Sequence, residues 1–201
     1  MGSTGLLIIV VPKAAAEAQP APAKKFSDVP AGSWYEAPVA WALANKITDG
    51  TSATTFSPLK ECTRAHVLTF LWRAAGEPEA IPGIETLFYN DMTAGQYYCD
   101  PISWAVQNAI VEGVEPHTFG VNKPISRGEF VTYLWKAAGC PEPKSMANPF
   151  TDVPAGSAFE KAVLWAKEQG VTDGTSATTF SPDNICTRAH VVTFLSRAYG
   201  K

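Results

Sequence analysis

Apolar positions in this chain gather into short girdles, separated by turns rich in glycine, proline, serine and threonine. The densest girdle is Val67, Leu68, Phe70, Leu71, Trp72, Ala74 and Ala75. A helix apolar on nearly every side belongs in the middle of a fold. Thr63 precedes it as a candidate N-cap, Arg64 occupies its first turn, and Gly76 stands where a left-handed C-terminal cap takes glycine. The same pattern returns from Ser126-Arg127 to Gly139, and again from Thr187-Arg188 to Gly200. In the middle copy Ser126 and Glu129 form an S-x-x-E capping box. His66 and His190 hold that third position in the other copies, so the box is expected to be lost there. A weaker periodicity (Val39, Ala42, Leu43) predicts a helix from Glu36 to about Asn45, with Pro38 in its first turn, where proline is tolerated.

These elements repeat. Adding 124 to positions of the first unit gives the third without a gap, and Thr48 to Pro58 recurs letter for letter as Thr172 to Pro182. An offset of 63 relates the first unit to the second: Asp28 to Asp91, Trp41 to Trp104, Arg64 to Arg127. The units run over 26–77, 89–140 and 150–201, joined by Pro/Glu-rich connectors, with a leader and linker over 1–25. Each reads as helix–loop–helix, too small to bury the girdle of its second helix alone. The expected fold is therefore mainly α: three repeats with pseudo-threefold symmetry around a central three-helix bundle. Trp41, Trp104 and Trp165 are expected in the core, as are Trp72 and Trp135. Arg73, Arg197 and Lys136 read as solvated or salt-bridged outer charges.

Composition narrows the function. The formal net charge is −3, which argues against nucleic acid or an anionic membrane surface as the main partner. Residues 6–11 are apolar but far too few to span a bilayer, and no Lys or Arg precedes them as a signal peptide would require. Four cysteines (Cys62, Cys99, Cys140 and Cys186) are too scattered for a disulfide scaffold. They read as small buried thiols, with one or two disulfides as the alternative in an exported protein. No nucleophile elbow or identifiable pair of catalytic carboxylates is present, so no enzyme and no cofactor is expected. Cys62 with His66, and Cys186 with His190, have helical four-residue spacing. They would make a Cys2His2 zinc set only if the fold joined the pairs, and the threefold arrangement tends to hold them apart.

Phe-x-Asp-Val, then Trp-Tyr, Ile-Thr-x-Gly, Phe-Ser-Pro and Thr-Arg-Ala, with an apolar helix ending Arg-Ala-x-Gly, resembles the S-layer homology module. Three copies cover residues 26–201. The resemblance implies a three-pronged spindle, secreted and held at the bacterial cell surface, that binds secondary cell-wall polysaccharide, typically pyruvylated. An arginine beside the first-turn N–H groups of a helix suits a carboxylate. The candidate contacts are accordingly Arg64, Arg127 and Arg188. By the family motif they are joined by Asp28, Asp91 and Asp152, by Trp34 and Tyr97, and by Gly50, Gly113 and Gly174. Asp28 and its copies could instead cap the first helix or brace the opening turn. The histidines at 66 and 190, and Ala158 where Trp34 stands in the first unit, imply that the grooves are not equivalent. The rival reading is self-association in a surface lattice without glycan affinity.

Overall fold

The computed structural model describes residues 26–83 and 88–200; the expected leader over 1–25 lies outside the described residues. Among the described residues six helices alternate with loops: α1 (Glu36–Ala44), α2 (Arg64–Ala74), α3 (Cys99–Gln107), α4 (Arg127–Ala137), α5 (Glu160–Glu168) and α6 (Arg188–Tyr199). No strand forms among them, only isolated bridges such as Glu61 with Thr187 and Ser126 with Ile185.

The two helices of a repeat begin differently. The first helix has no side-chain cap; instead Glu36 of α1 and Glu160 of α5 reach back to accept from Gly32 and Gly156 N–H, at 2.7 and 2.8 Å. The second helix is capped by Thr63, Ser126 or Thr187, each accepting from the N–H three residues on. At the far end of α2 and α4, Gly76 and Gly139 are left-handed, at φ 91° and 85°. Glu77 N–H returns to Trp72 O and Cys140 N–H to Trp135 O, a Schellman closure that satisfies two of the last carbonyls. The third copy departs from this expectation. Gly200 has φ −89° because α6 runs one residue longer, and a Cβ there would lie 2.4 Å from Ser196 O.

Packing between repeats follows a cyclic order. The second helix of each repeat lies on the first helix of the next: α2 on α3, α4 on α5, and α6 back on α1. The second helices also meet one another. α2 packs on α6, Phe130 of α4 stacks on Phe194 of α6 with centroids 6.0 Å apart, and Arg64 of α2 donates to the Tyr133 hydroxyl of α4. Where the three loops converge, backbone bonds close a triangle. Cys62 N–H donates to Cys186 O at 2.9 Å, Cys186 N–H to Ile125 O at 2.9 Å, and Ile125 N–H to Cys62 O at 3.1 Å.

The core lies at these junctions and within each lobe. Phe56, Phe119 and Phe180 are fully buried at equivalent places, each against Phe26, Tyr89 or Phe150 from the opening turn. Burying a side chain of that size is worth about 2–3 kcal/mol. Trp104 and Trp165 are buried and Trp41 half-buried. Trp72 and Trp135 are half-buried rather than interior, because each indole N–H donates outward at 2.8 Å to a connector carbonyl, Pro78 O or Pro141 O.

Candidate functional site

The motif arginines sit at the heart of each junction. Arg64, Arg127 and Arg188 are only 4%, 4% and 6% exposed. Each reaches into the following repeat: Arg64 Nε donates to Phe119 O, Arg127 Nε to Phe180 O, and Arg188 Nε to Phe56 O. Each guanidinium also lies over aromatic rings, Arg64 over Phe119 and Tyr133, Arg127 over Phe180 and Phe194, Arg188 over Phe56 and Phe70. Burial, outweighing nearby acidic groups, pulls Arg127 and Arg188 below the ordinary arginine value.

The first-turn N–H groups are occupied as well. Arg64 and Ala65 N–H donate to Lys123 O and Val121 O, Arg127 and Gly128 N–H to Asn184 O and Pro182 O, and Arg188 and Ala189 N–H to Lys60 O and Pro58 O. The anion site expected at these helix starts is therefore filled by carbonyls of the neighbouring repeat. Sequence spacing could not reveal this, since the partners lie on other repeats.

The aspartates brace the loop that the arginines grip. Asp28 accepts from Phe56 and Ser57 N–H at 2.8 and 2.7 Å, and Asp152 from Phe180 and Ser181 N–H at the same distances. Asp91 accepts from Phe119, Gly120 and Val121 N–H. One donor in each set belongs to a left-handed residue, Ser57, Gly120 or Ser181. Burial alone would raise the Asp91 carboxyl, but its three N–H partners outweigh that and hold it below its ordinary value. Gly50 and Gly174 are left-handed, and a Cβ on either would press into Phe26 or Phe150 at 2.5–2.6 Å; a Cβ on Gly113 would meet Tyr89 at 2.7 Å. These glycines keep the loop flat beneath an aromatic ring.

Above this frame lie the exposed members of the set. Trp34 and Tyr97 are 56% and 53% exposed. Trp34 of the first repeat stacks on His190 of the third, centroids 5.4 Å apart and planes 26° from parallel. Tyr97 of the second repeat stacks on His66 of the first, at 6.0 Å and 24°. A second aromatic meets each edge-on, Tyr35 at Trp34 and Tyr98 at Tyr97. The histidines escaped the sequence reading as groove residues; their shared offset from the arginine was the available signal.

His190 also corrects the expectation that the capping box is lost. Thr187 N–H donates to His190 Nδ1 at 3.3 Å, while Thr187 Oγ1 accepts from His190 N–H, so imidazole replaces the glutamate. His66 makes the side-chain half of this arrangement, with Nδ1 2.9 Å from Thr63 Oγ1. Burial first, then nearby positive charge (Arg188 and Lys60 for His66, Arg127 for His190), lowers both histidines. The neutral ring keeps a lone pair on Nδ1 for the cap.

The junction of the second and third repeats differs. Glu129 stands where the histidines stand, its carboxylate accepting from Ser126 N–H at 2.9 Å with Lys123 Nζ 3.9 Å away. Ala158 is exposed in place of the stacking ring, and Phe159 lies against Gly128, where an added Cβ would meet it at 3.0 Å.

Cys62 and Cys186 are fully buried at the triangle, and burial pushes both thiols up to about 12. All four cysteines are free. The zinc set is not assembled: among the described residues no group of three or more His, Cys, Asp or Glu side chains could hold a metal. No described helix is long and apolar enough to cross a membrane.

Comparison with known proteins gives the same threefold division of the chain. The S-layer homology domain family matches at residues 25–68, 88–131 and 149–192. A surface-layer 125 kDa protein of Lysinibacillus sphaericus is 30% identical over 155 residues, covering 75% of this chain and 13% of that protein. A middle cell wall protein of Brevibacillus brevis is 33% identical over 94 residues, covering 45% of this chain and 9% of that protein. The chain thus spans about a tenth of the length of these relatives. With three matches over more than half its residues, the chain belongs to the S-layer homology domain family and carries three of its domains in tandem.

Proposed function

We propose that this chain anchors a surface protein non-covalently to the bacterial cell wall, by binding an acidic, pyruvylated wall polysaccharide in the grooves between repeats. The observation that carries this reading is the pair of exposed aromatic–imidazole platforms, Trp34 on His190 and Tyr97 on His66, at two junctions. A flat ring offers stacking to the apolar face of a sugar, and an imidazole beside it offers a donor to hydroxyl or carboxylate oxygens. In this reading Arg64, Arg127 and Arg188, the aspartates Asp28, Asp91 and Asp152, and the glycines Gly50, Gly113 and Gly174 act from beneath. They hold the loops whose outer surface meets the glycan, and the arginines add positive field. The relatives named for a surface layer and a cell wall support the location.

The test is sedimentation of the protein with purified wall polysaccharide. Wild type is retained, and the Trp34→Ala/Tyr97→Ala variant loses most retention with an unchanged melting temperature, since both side chains are mainly in solvent. Full retention of a folded double variant would sink the proposal. Analytical ultracentrifugation without glycan separates this reading from lattice assembly, which predicts stable oligomers with no polysaccharide retention.

A further inference from the structure

Two of the three junctions share one constellation, and the third reverses its charge. At His190, Thr187 N–H donates to Nδ1, so the ring proton sits on Nε2 and that edge is a donor. His66 has the same stack and the same hydroxyl contact on Nδ1. Buried cations reinforce both places: Arg188 and exposed Lys60 act on His66, and Arg127 acts on His190. At the equivalent place in the remaining junction stands the Glu129 carboxylate, with only acceptor oxygens, an exposed lysine in partial compensation and no covering ring.

We infer that the grooves are sorted by charge: the His66–Tyr97 and His190–Trp34 grooves take the carboxylate-bearing glycan, and the Glu129 groove rejects it. The inference rests on the glycan-binding reading above and adds to it which grooves act and which residue decides. A ligand carboxylate accepts from imidazole Nε2–H, whereas a carboxylate brought against Glu129 meets like charge with no donor between them. His66 and His190 are thus the specificity-determining residues.

The decisive variants are His66→Glu and His190→Glu. Glutamate at this helix position completes a capping box, as Glu129 does with Ser126, so folding is retained and the change reads charge. Affinity is measured for purified pyruvylated wall polysaccharide and for the same polymer after mild-acid removal of its pyruvate. Each single variant should weaken binding of the intact polymer about tenfold, the effect of one like-charge contact at a partly exposed site. The double variant should abolish binding, and Glu129→Gln should not weaken it. The uncharged His66→Gln/His190→Gln variant should retain much of it. A double Glu variant that binds like wild type, or a Glu129→Gln variant that loses binding, overturns the inference while leaving the glycan reading intact. Wild type that fails to bind the intact polymer overturns both.

Discussion

His190 performs two tasks with its two nitrogens, and acid sets them against each other. Protonated Nδ1 cannot accept from Thr187 N–H, and the new cation sits near Arg127, with Trp34 covering one face. His66 faces the same loss beside Thr63, Tyr97, Lys60 and Arg188. Both rings have folded-state values below the ordinary 6.5, so the folded protein binds fewer protons than the unfolded chain between those values. Their contribution to stability is therefore fully present above about pH 6.5 and is lost as pH falls toward the folded values. The melting temperature should drop on acidification from pH 7 to 5, and the His66→Gln/His190→Gln variant should drop less; equal slopes would refute this account. That two histidines replace glutamate was plain in the sequence. That imidazole would still cap was not, because it depends on which nitrogen faces the backbone.

At the scale of elements, the capped second helix was the most legible feature of the chain. N-cap, apolar girdle and C-terminal glycine are local signals, and the structure places all three as read in α2 and α4. Ser126→Ala removes one half of the α4 capping box and should cost about 1 kcal/mol in urea unfolding. A change below a few tenths would show that the neighbouring repeat, not the cap, holds that turn. What the sequence hid was the destination of the arginine and of the first-turn N–H groups. Arg188 Nε and its acceptor Phe56 O lie 132 positions apart, and Arg64 and Phe119 O lie 55 apart. No local periodicity encodes such a partner. The aspartates were half legible, since bracing of the opening turn was one of two roles open for Asp28, and their acceptor bonds select it.

For the whole molecule, the repeat count was readable from spacing alone, whereas the direction of packing, each repeat gripping the next and the third gripping the first, came only from contacts. That order makes the repeats mutually dependent. Deleting residues 150–201 would uncover α1 where α6 lies, strip Phe194 from Phe130, and leave Arg127 without Phe180. The shortened chain should therefore lack a sharp thermal transition by circular dichroism; a cooperative transition near that of the full chain would show the repeats to be independent. The backbone triangle of Cys62, Ile125 and Cys186 has a mechanical consequence. A linear stack under tension peels from its last unit, breaking one seam at a time. Here any unit that leaves must open both of its seams together, so a steady pull meets a clasped hoop rather than a zip.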